Sequence, residues 1–233
     1  MVFRWDTQIK HNMRKLFTAG CSVSIRNNCK TSYPEELAKL LNYELVNCAA
    51  GCGSNYRIWR MITKHIMDGN LTSDDLVIIQ YTDQIRREFW SRFSPENMDV
   101  NMEESYDDGK LIRFKTDSYL WQKEYEEIKF FKLYEENFIN DKFSKEVFDT
   151  NNFNFQNMLK NYNIKAIFLK TDRMNLGDIF ILDEYKKMQL YDKSNTDWSN
   201  NQTNTDACHF SDKGHILMAN NLYNHIINLK LNE

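Results

Sequence analysis

Two prolines and seven glycines are all that this chain of 233 residues contains. Collagen-like repeats, proline-rich linkers and glycine-rich tracts are excluded by that scarcity, and each glycine becomes a candidate for a turn that needs it. Charge of one sign is also missing. With 30 Lys and Arg against 33 Asp and Glu, the net charge of −3 gives no electrostatic reason to expect a nucleic-acid partner. No apolar run approaches the roughly 20 residues a membrane-spanning helix needs. The polar start, MVFRWDTQIKHNMRK, has no apolar leader core, so a cytoplasmic location is the expectation. The five cysteines, Cys21, Cys29, Cys48, Cys52 and Cys208, are odd in number and include no CxxC pair. They read as reduced thiols, and the sequons at Asn70 and Asn201 then carry no meaning.

What is present is ample for a core: 42% of the residues are hydrophobic and 14% aromatic, with 27% charged. Four short, near-continuous apolar runs read as strands buried on both faces: Lys15–Ala19, Glu44–Ala50, Leu76–Tyr81 and Ala166–Leu169. Helical patterns lie between and after them. Pro34–Leu41 opens on a proline, Asn55–Met67 carries Ile58, Met61, Ile62 and Ile66 on one stripe, and Gly214–Leu229 closes the chain. Alternating strands and helices predict an α/β fold, a three-layer α/β/α sandwich around a central parallel sheet of flavodoxin-like layout. Residues 83–163 break the rhythm. They are acidic, aromatic and helix-prone, most of all at 121–138, and read as a large helical insertion after the third strand within a single domain spanning 1–233. The insertion reads as packed over the sheet's C-terminal edge or as a small cap, and a second stretch, 171–205, reads as irregular and as a loop near that edge.

The stretch LFTAGCSVS at 16–24 ends the first predicted strand in small residues and then Ser22. Small residues let the backbone bend there and expose one side chain. Ser22 fits turn chemistry, a helix N-cap or a nucleophile, and a nucleophile needs a base from elsewhere. DACHFSDKGH at 206–215 offers one, because a loop can fold Asp206 onto one imidazole nitrogen of His209 and leave the other to take the serine proton. Asp206 could also cap the last helix, and His215 reads as a packing or capping residue. Cys21, Cys52 and Cys208, with His209, raise a Cys3His zinc site, but the cysteines come singly from three distant segments without a knuckle. No metal and no cofactor are therefore expected. The insertion's aromatics, Trp121 and Tyr125 among them, read first as core and second as a sugar- or acyl-binding wall.

Together these segments resemble the SGNH hydrolases, the GDSL-like esterases, in the branch whose first block reads GCS. Gly20-Cys21-Ser22 matches the first block, NCAAGCGSNYRI at 47–58 the second, and Asp206-x-x-His209 the last. The resemblance implies a serine esterase in which Ser22 attacks, His209 moves the proton and Asp206 orients His209. It also implies an oxyanion hole from the Ser22 N–H and a second-block glycine N–H. Gly51 and Gly53 straddle the expected place, with Gly53 preferred. The third block departs from the family's GxND: Gln80-Tyr81-Thr82-Asp83 puts Thr82 where the donor Asn would stand, and Asn55 is the other candidate for that amide. The implied substrate is a small-molecule or glycan acyl ester, acetyl-type. Two alternatives share the residues: an O-acetyltransferase acting on a polysaccharide or glycan, and a non-catalytic binding module of the same fold.

Overall fold

The structure, a computed structural model, describes residues 13–26, 29–51, 53–82, 87–91, 105–106, 109–114, 133, 141–171, 181–192 and 210–232. In chain order these form β1 (Lys15–Ala19), α1 (Tyr33–Leu41), β2 (Glu44–Asn47), α2 (Asn55–Met67) and β3 (Leu76–Gln80). There follow β4 (Arg87–Ser91), β5 (Ser105–Tyr106), β6 (Gly109–Phe114), α3 (Asp141–Asn161) and β7 (Lys165–Thr171). The chain closes with α4 (Asp183–Lys186), β8 (Gln189–Asp192) and α5 (Asp212–Asn228).

Five strands make one sheet in the order β2-β1-β3-β7-β8, with every neighbouring pair parallel. Phe17 stands level with Val46 on one side and Val77 on the other, and Ile78 pairs with Ile167. The middle strand β3, LVIIQ, is buried at every position, as a strand covered on both faces must be. Successive side chains point to opposite faces. Gln80 meets Ser24, next to Tyr33 at the start of α1, whereas Tyr81 packs on Phe148 of α3. Helix α1 packs on α5, and α2 packs on α3. The result is the three-layer α/β/α sandwich that the sequence predicts. Helix α1 is fixed locally by a capping box between Ser32 and Glu35 and a left-handed Asn42 at its end (φ 56°). Among the described residues, no helix is long and apolar enough to cross a membrane.

Three features differ from the sequence reading. Strand β2 ends at Asn47 and, as an edge strand, is exposed at Glu44 and Asn47 and half-buried between them, not buried on both faces. Among the described residues of the insertion, α3 is the long helix, but strands are present as well. The insertion's earlier part holds a three-stranded antiparallel sheet, β4-β6-β5, with Phe89 opposite Ile112. REFWS and GKLIRF mix charged and apolar residues, so neither shows the apolar run that marks a buried strand, and only pairing across the intervening chain makes them a sheet. Residues 121–138 lie outside the described residues apart from Leu133. The stretch 171–205 is not irregular throughout. It contains α4 and the edge strand β8, where Leu190 pairs with Leu169 of β7. A four-residue strand reading QLYD carries too little apolar signal to be seen alone, and backbone pairing with β7 defines it.

Candidate active site

Strand β1 runs between β2 and β3, so the residues that follow it emerge at the C-terminal edge with a neighbour on either side. That edge is where open α/β sheets bind ligands. Gly20 makes the exit possible: a Cβ there would lie 2.4 Å from Ser24 Oγ and 3.0 Å from Gln80 Oε1. The chain then winds into one 3-10 turn, Ser22–Ser24, closed by Ser24 N–H donating to Cys21 O at 2.9 Å. Cys21 occupies the N-cap position and makes no side-chain cap, so the capping role open to Ser22 is not the one it fills. Ser22 is half-buried between a fully buried Cys21 and a buried Val23. Ser24 is fully buried; its hydroxyl bonds Tyr33 Oη at 2.9 Å and donates to Gln80 Oε1. One serine meets solvent and the other holds the fold.

The second block wraps the same turn from the β2 side. Cys48 N–H donates to Thr18 O at 2.7 Å, and Ala50 N–H reaches Gly20 O at 3.4 Å. Gly53 then lies against the serine turn, where an added Cβ would stand 2.9 Å from Gly20 O and 3.0 Å from Ala50 O. Its N–H, however, donates to Ala50 O at 3.0 Å, which closes the 50–53 turn. The preference for Gly53 as the oxyanion donor thus meets a competing bond, and the structure gives Gly53 a close-packing role. Gly51 is buried in the same turn. Cys52 lies outside the described residues.

Asn55 does not cap α2. Ser54 does, its Oγ accepting from Arg57 N–H at 3.2 Å. The Asn55 carboxamide instead grips the backbone of Thr82 twice: Nδ2 donates to Thr82 O at 2.8 Å, and Thr82 N–H donates to Asn55 Oδ1 at 2.9 Å. Both residues are buried. Asn55 was a candidate oxyanion donor on sequence; here its amide fixes the third block onto the second, and Thr82 is the residue so fixed. Buried Arg57, beneath the same turn, donates to Cys48 O.

The last block is anchored to the loop that follows Ser22. Asp212 Oδ1 accepts from Lys30 N–H at 2.8 Å and Thr31 N–H at 3.4 Å, while Cys29 Sγ donates to Phe210 O at 3.1 Å. Ser211 caps α5 by accepting from Gly214 N–H at 3.0 Å, so the capping role open to Asp206 belongs to Ser211. His215 is buried, with Nδ1 accepting from Tyr33 N–H at 3.1 Å and its ring against Phe210. It packs and bonds, as the sequence predicts. Asp206, Cys208 and His209 lie outside the described residues, and with Cys52 they take most of the Cys3His set with them. Among the described residues, no three His, Cys, Asp or Glu side chains gather as a metal site. Burial pushes the Tyr33 and Tyr81 phenols up, so both stay protonated hydrogen-bonding groups at the rim.

Sequence spacing missed Asn47, Gln80 and Asp212. Each acts through bonds to residues far along the chain, which no local pattern records.

No family model matches the chain, and no curated protein does. Among solved structures it is similar to a psychrotrophic esterase, EstA from Pseudoalteromonas sp., in a crystal structure inhibited by monoethylphosphonate. The identity is 13%, over 94% of this chain and 100% of that one, with a TM-score of 0.47. The fold described above follows from this chain's own strand order and register.

Proposed function

We propose that the chain is a serine esterase of the SGNH type, one domain across 1–233, that cleaves a short acyl ester. The observation that carries the reading is Ser22: half-buried, on the turn that closes the strand between β2 and β3, with the second and third blocks bonded around it. In this reading Ser22 Oγ attacks the acyl carbon while His209 takes its proton, with Asp206 orienting the imidazole. The C–O bond to the alcohol breaks, and the alcohol leaves with that proton. Water then attacks the acyl-serine, again giving its proton to His209; the bond from the acyl carbon to Ser22 Oγ breaks, His209 returns the proton to that oxygen, and the acid departs.

Charge develops on the carbonyl oxygen, and donors fixed beforehand lower that barrier most. Ser22 N–H stands at the start of the turn that Ser24 N–H closes onto Cys21 O. We assign it as the first donor. The second comes from the turn beside it, where Gly53 and Gly51 are the two candidates and Gly53 N–H would have to exchange its bond to Ala50 O for the oxyanion. Thr82, clamped by Asn55, supplies the third from its hydroxyl. The docking of Phe210 and Asp212 on residues 29–31 supports the assignment of the last block to the same edge.

Turnover of p-nitrophenyl acetate by the purified chain, with Ser22→Ala as control, tests this. Release of p-nitrophenol that disappears in Ser22→Ala, together with loss of activity after stoichiometric labelling by a fluorophosphonate, is the expected result. A wild-type chain that neither turns over the ester nor takes the label would overturn it.

A further inference from the structure

We infer that Asn47 is a positioning residue for Ser22, gripping the serine turn at Ser24 from β2 while Gln80 grips it from β3; this rests on Ser22 being the nucleophile. Asn47 ends the edge strand and is exposed, yet its carboxamide makes three bonds. Oδ1 accepts from Thr18 Oγ1 at 2.9 Å and from Ala49 N–H at 3.0 Å. Nδ2 donates to Ser24 O at 3.0 Å. The orientation of the amide is fixed by its partners, since Ala49 N–H can only donate and Ser24 C=O can only accept. One side chain therefore links β1, the start of the turn that leads to Gly51, and the turn that carries Ser22.

The opposite grip uses the other end of the same residue. Ser24 Oγ gives its single proton to Gln80 Oε1, so the Tyr33 hydroxyl must be the donor in its bond to Ser24 Oγ. Ser24 is thus held by its carbonyl from β2 and by its hydroxyl from β3 and α1. A short 3-10 turn has one internal bond to resist shear, from Ser24 N–H to Cys21 O. These outer bonds therefore set where Ser22 Oγ stands relative to the two flanking blocks. An error on the order of 1 Å in such a placement costs about 100-fold in rate.

Asn47→Asp separates this role from simple packing. The carboxylate keeps the shape and both Oδ1 acceptor bonds, but sets an oxygen instead of an N–H against Ser24 O. Two measurements decide the matter: kinetics on p-nitrophenyl acetate, and hydrogen exchange of the backbone amides over 21–25. Asn47→Asp is expected to lower kcat about 10- to 100-fold with KM within about twofold. Exchange over 21–25 is expected to speed up while α1 and β3 keep their protection. Asn47→Ala should show both effects at least as strongly. Unchanged exchange over 21–25 would overturn the inference whatever the kinetics, and so would faster exchange with an unchanged kcat. A wild-type chain without esterase activity overturns the parent reading. In that case faster exchange in the variant would mark Asn47 as a strut of the fold and not a positioning residue.

Discussion

Ser22 and Ser24 stand two residues apart on one turn, and their surroundings assign them different work. Ser22 is half-buried, whereas Ser24 is fully buried and bonded to Tyr33 and Gln80. Ser22→Ala is therefore expected to remove ester turnover with little change in melting temperature, because a half-buried turn hydroxyl carries little packing. Ser24→Ala strands the Tyr33 hydroxyl and the Gln80 amide, a cost of about 1–3 kcal/mol, and should lower stability while leaving measurable turnover. Thermal melts beside p-nitrophenyl acetate kinetics read both effects. If Ser24→Ala is silent in the melt and inactive on the ester, the assignment is reversed. Thr82 and Asn55 form a second pair that mutation can separate. Thr82→Val keeps the β-branched shape and should lower kcat about 10-fold, with KM unchanged, if its hydroxyl serves the oxyanion. Asn55→Ala leaves the buried Thr82 N–H and C=O without their carboxamide and should cost roughly 2 kcal/mol or more in urea unfolding. A stable Asn55→Ala with kcat down a hundredfold would return the donor role to Asn55.

At the scale of elements, the start of α5 is pinned to the loop that leads into α1. Asp212 accepts two backbone N–H groups from that loop, and His215 accepts a third from Tyr33. His215→Ala removes a buried ring and an acceptor, so about 2–4 kcal/mol of stability should go. Turnover per folded molecule should persist, because His209 and not His215 is the proposed base. Inactivity of well-folded His215→Ala would reverse that choice. These elements also mark what a sequence can disclose. Helix α2 lies at Asn55–Met67 and β1 at Lys15–Ala19, the bounds that periodicity and apolar runs predict. Strands β4, β6 and β8 were invisible because their signal is backbone pairing, not composition. The site divides in the same way. Small residues around Ser22 announce a turn locally, whereas the bonds that hold it join Ser24 to Gln80 across 56 positions and Asn47 to Ser24 across 23. Only the fold brings those partners together.

The whole molecule carries a pH dependence that follows from where its sheet is covered. His65 on α2 sets its ring edge-on to Phe17 of β1, with centroids 5.1 Å apart, and His225 lies near the end of α5. Burial pushes both imidazoles below the ordinary histidine value; at His65 the nearby Asp68 opposes this and Lys64 and Lys15 add to it. A folded pKa below the unfolded one means that the unfolded chain binds protons which the folded chain refuses. Stability is therefore complete above about pH 6.5 and is lost as pH falls from there through the lower folded values. Glu35 and Glu36 act lower on the scale. Hydrogen bonds from Arg26 to Glu35 and from Lys39 to Glu36 hold these carboxyls down, so their contribution goes only as the pH drops below the ordinary Glu range. Acid unfolding is thus expected in two stages, imidazoles first and carboxylates second. Added salt should weaken the second stage more, because Arg26 and Lys39 are solvent-exposed and screened. The measurement is melting temperature from pH 8 to pH 4 for the wild type and for His65→Phe, which keeps an aromatic ring against Phe17. The variant should lose part of the slope between about pH 6.5 and 5 and keep the carboxylate stage intact. A wild-type melting temperature flat through that upper window would mean that neither imidazole resists protonation in the fold. Equal slopes in wild type and variant would remove His65 from the effect.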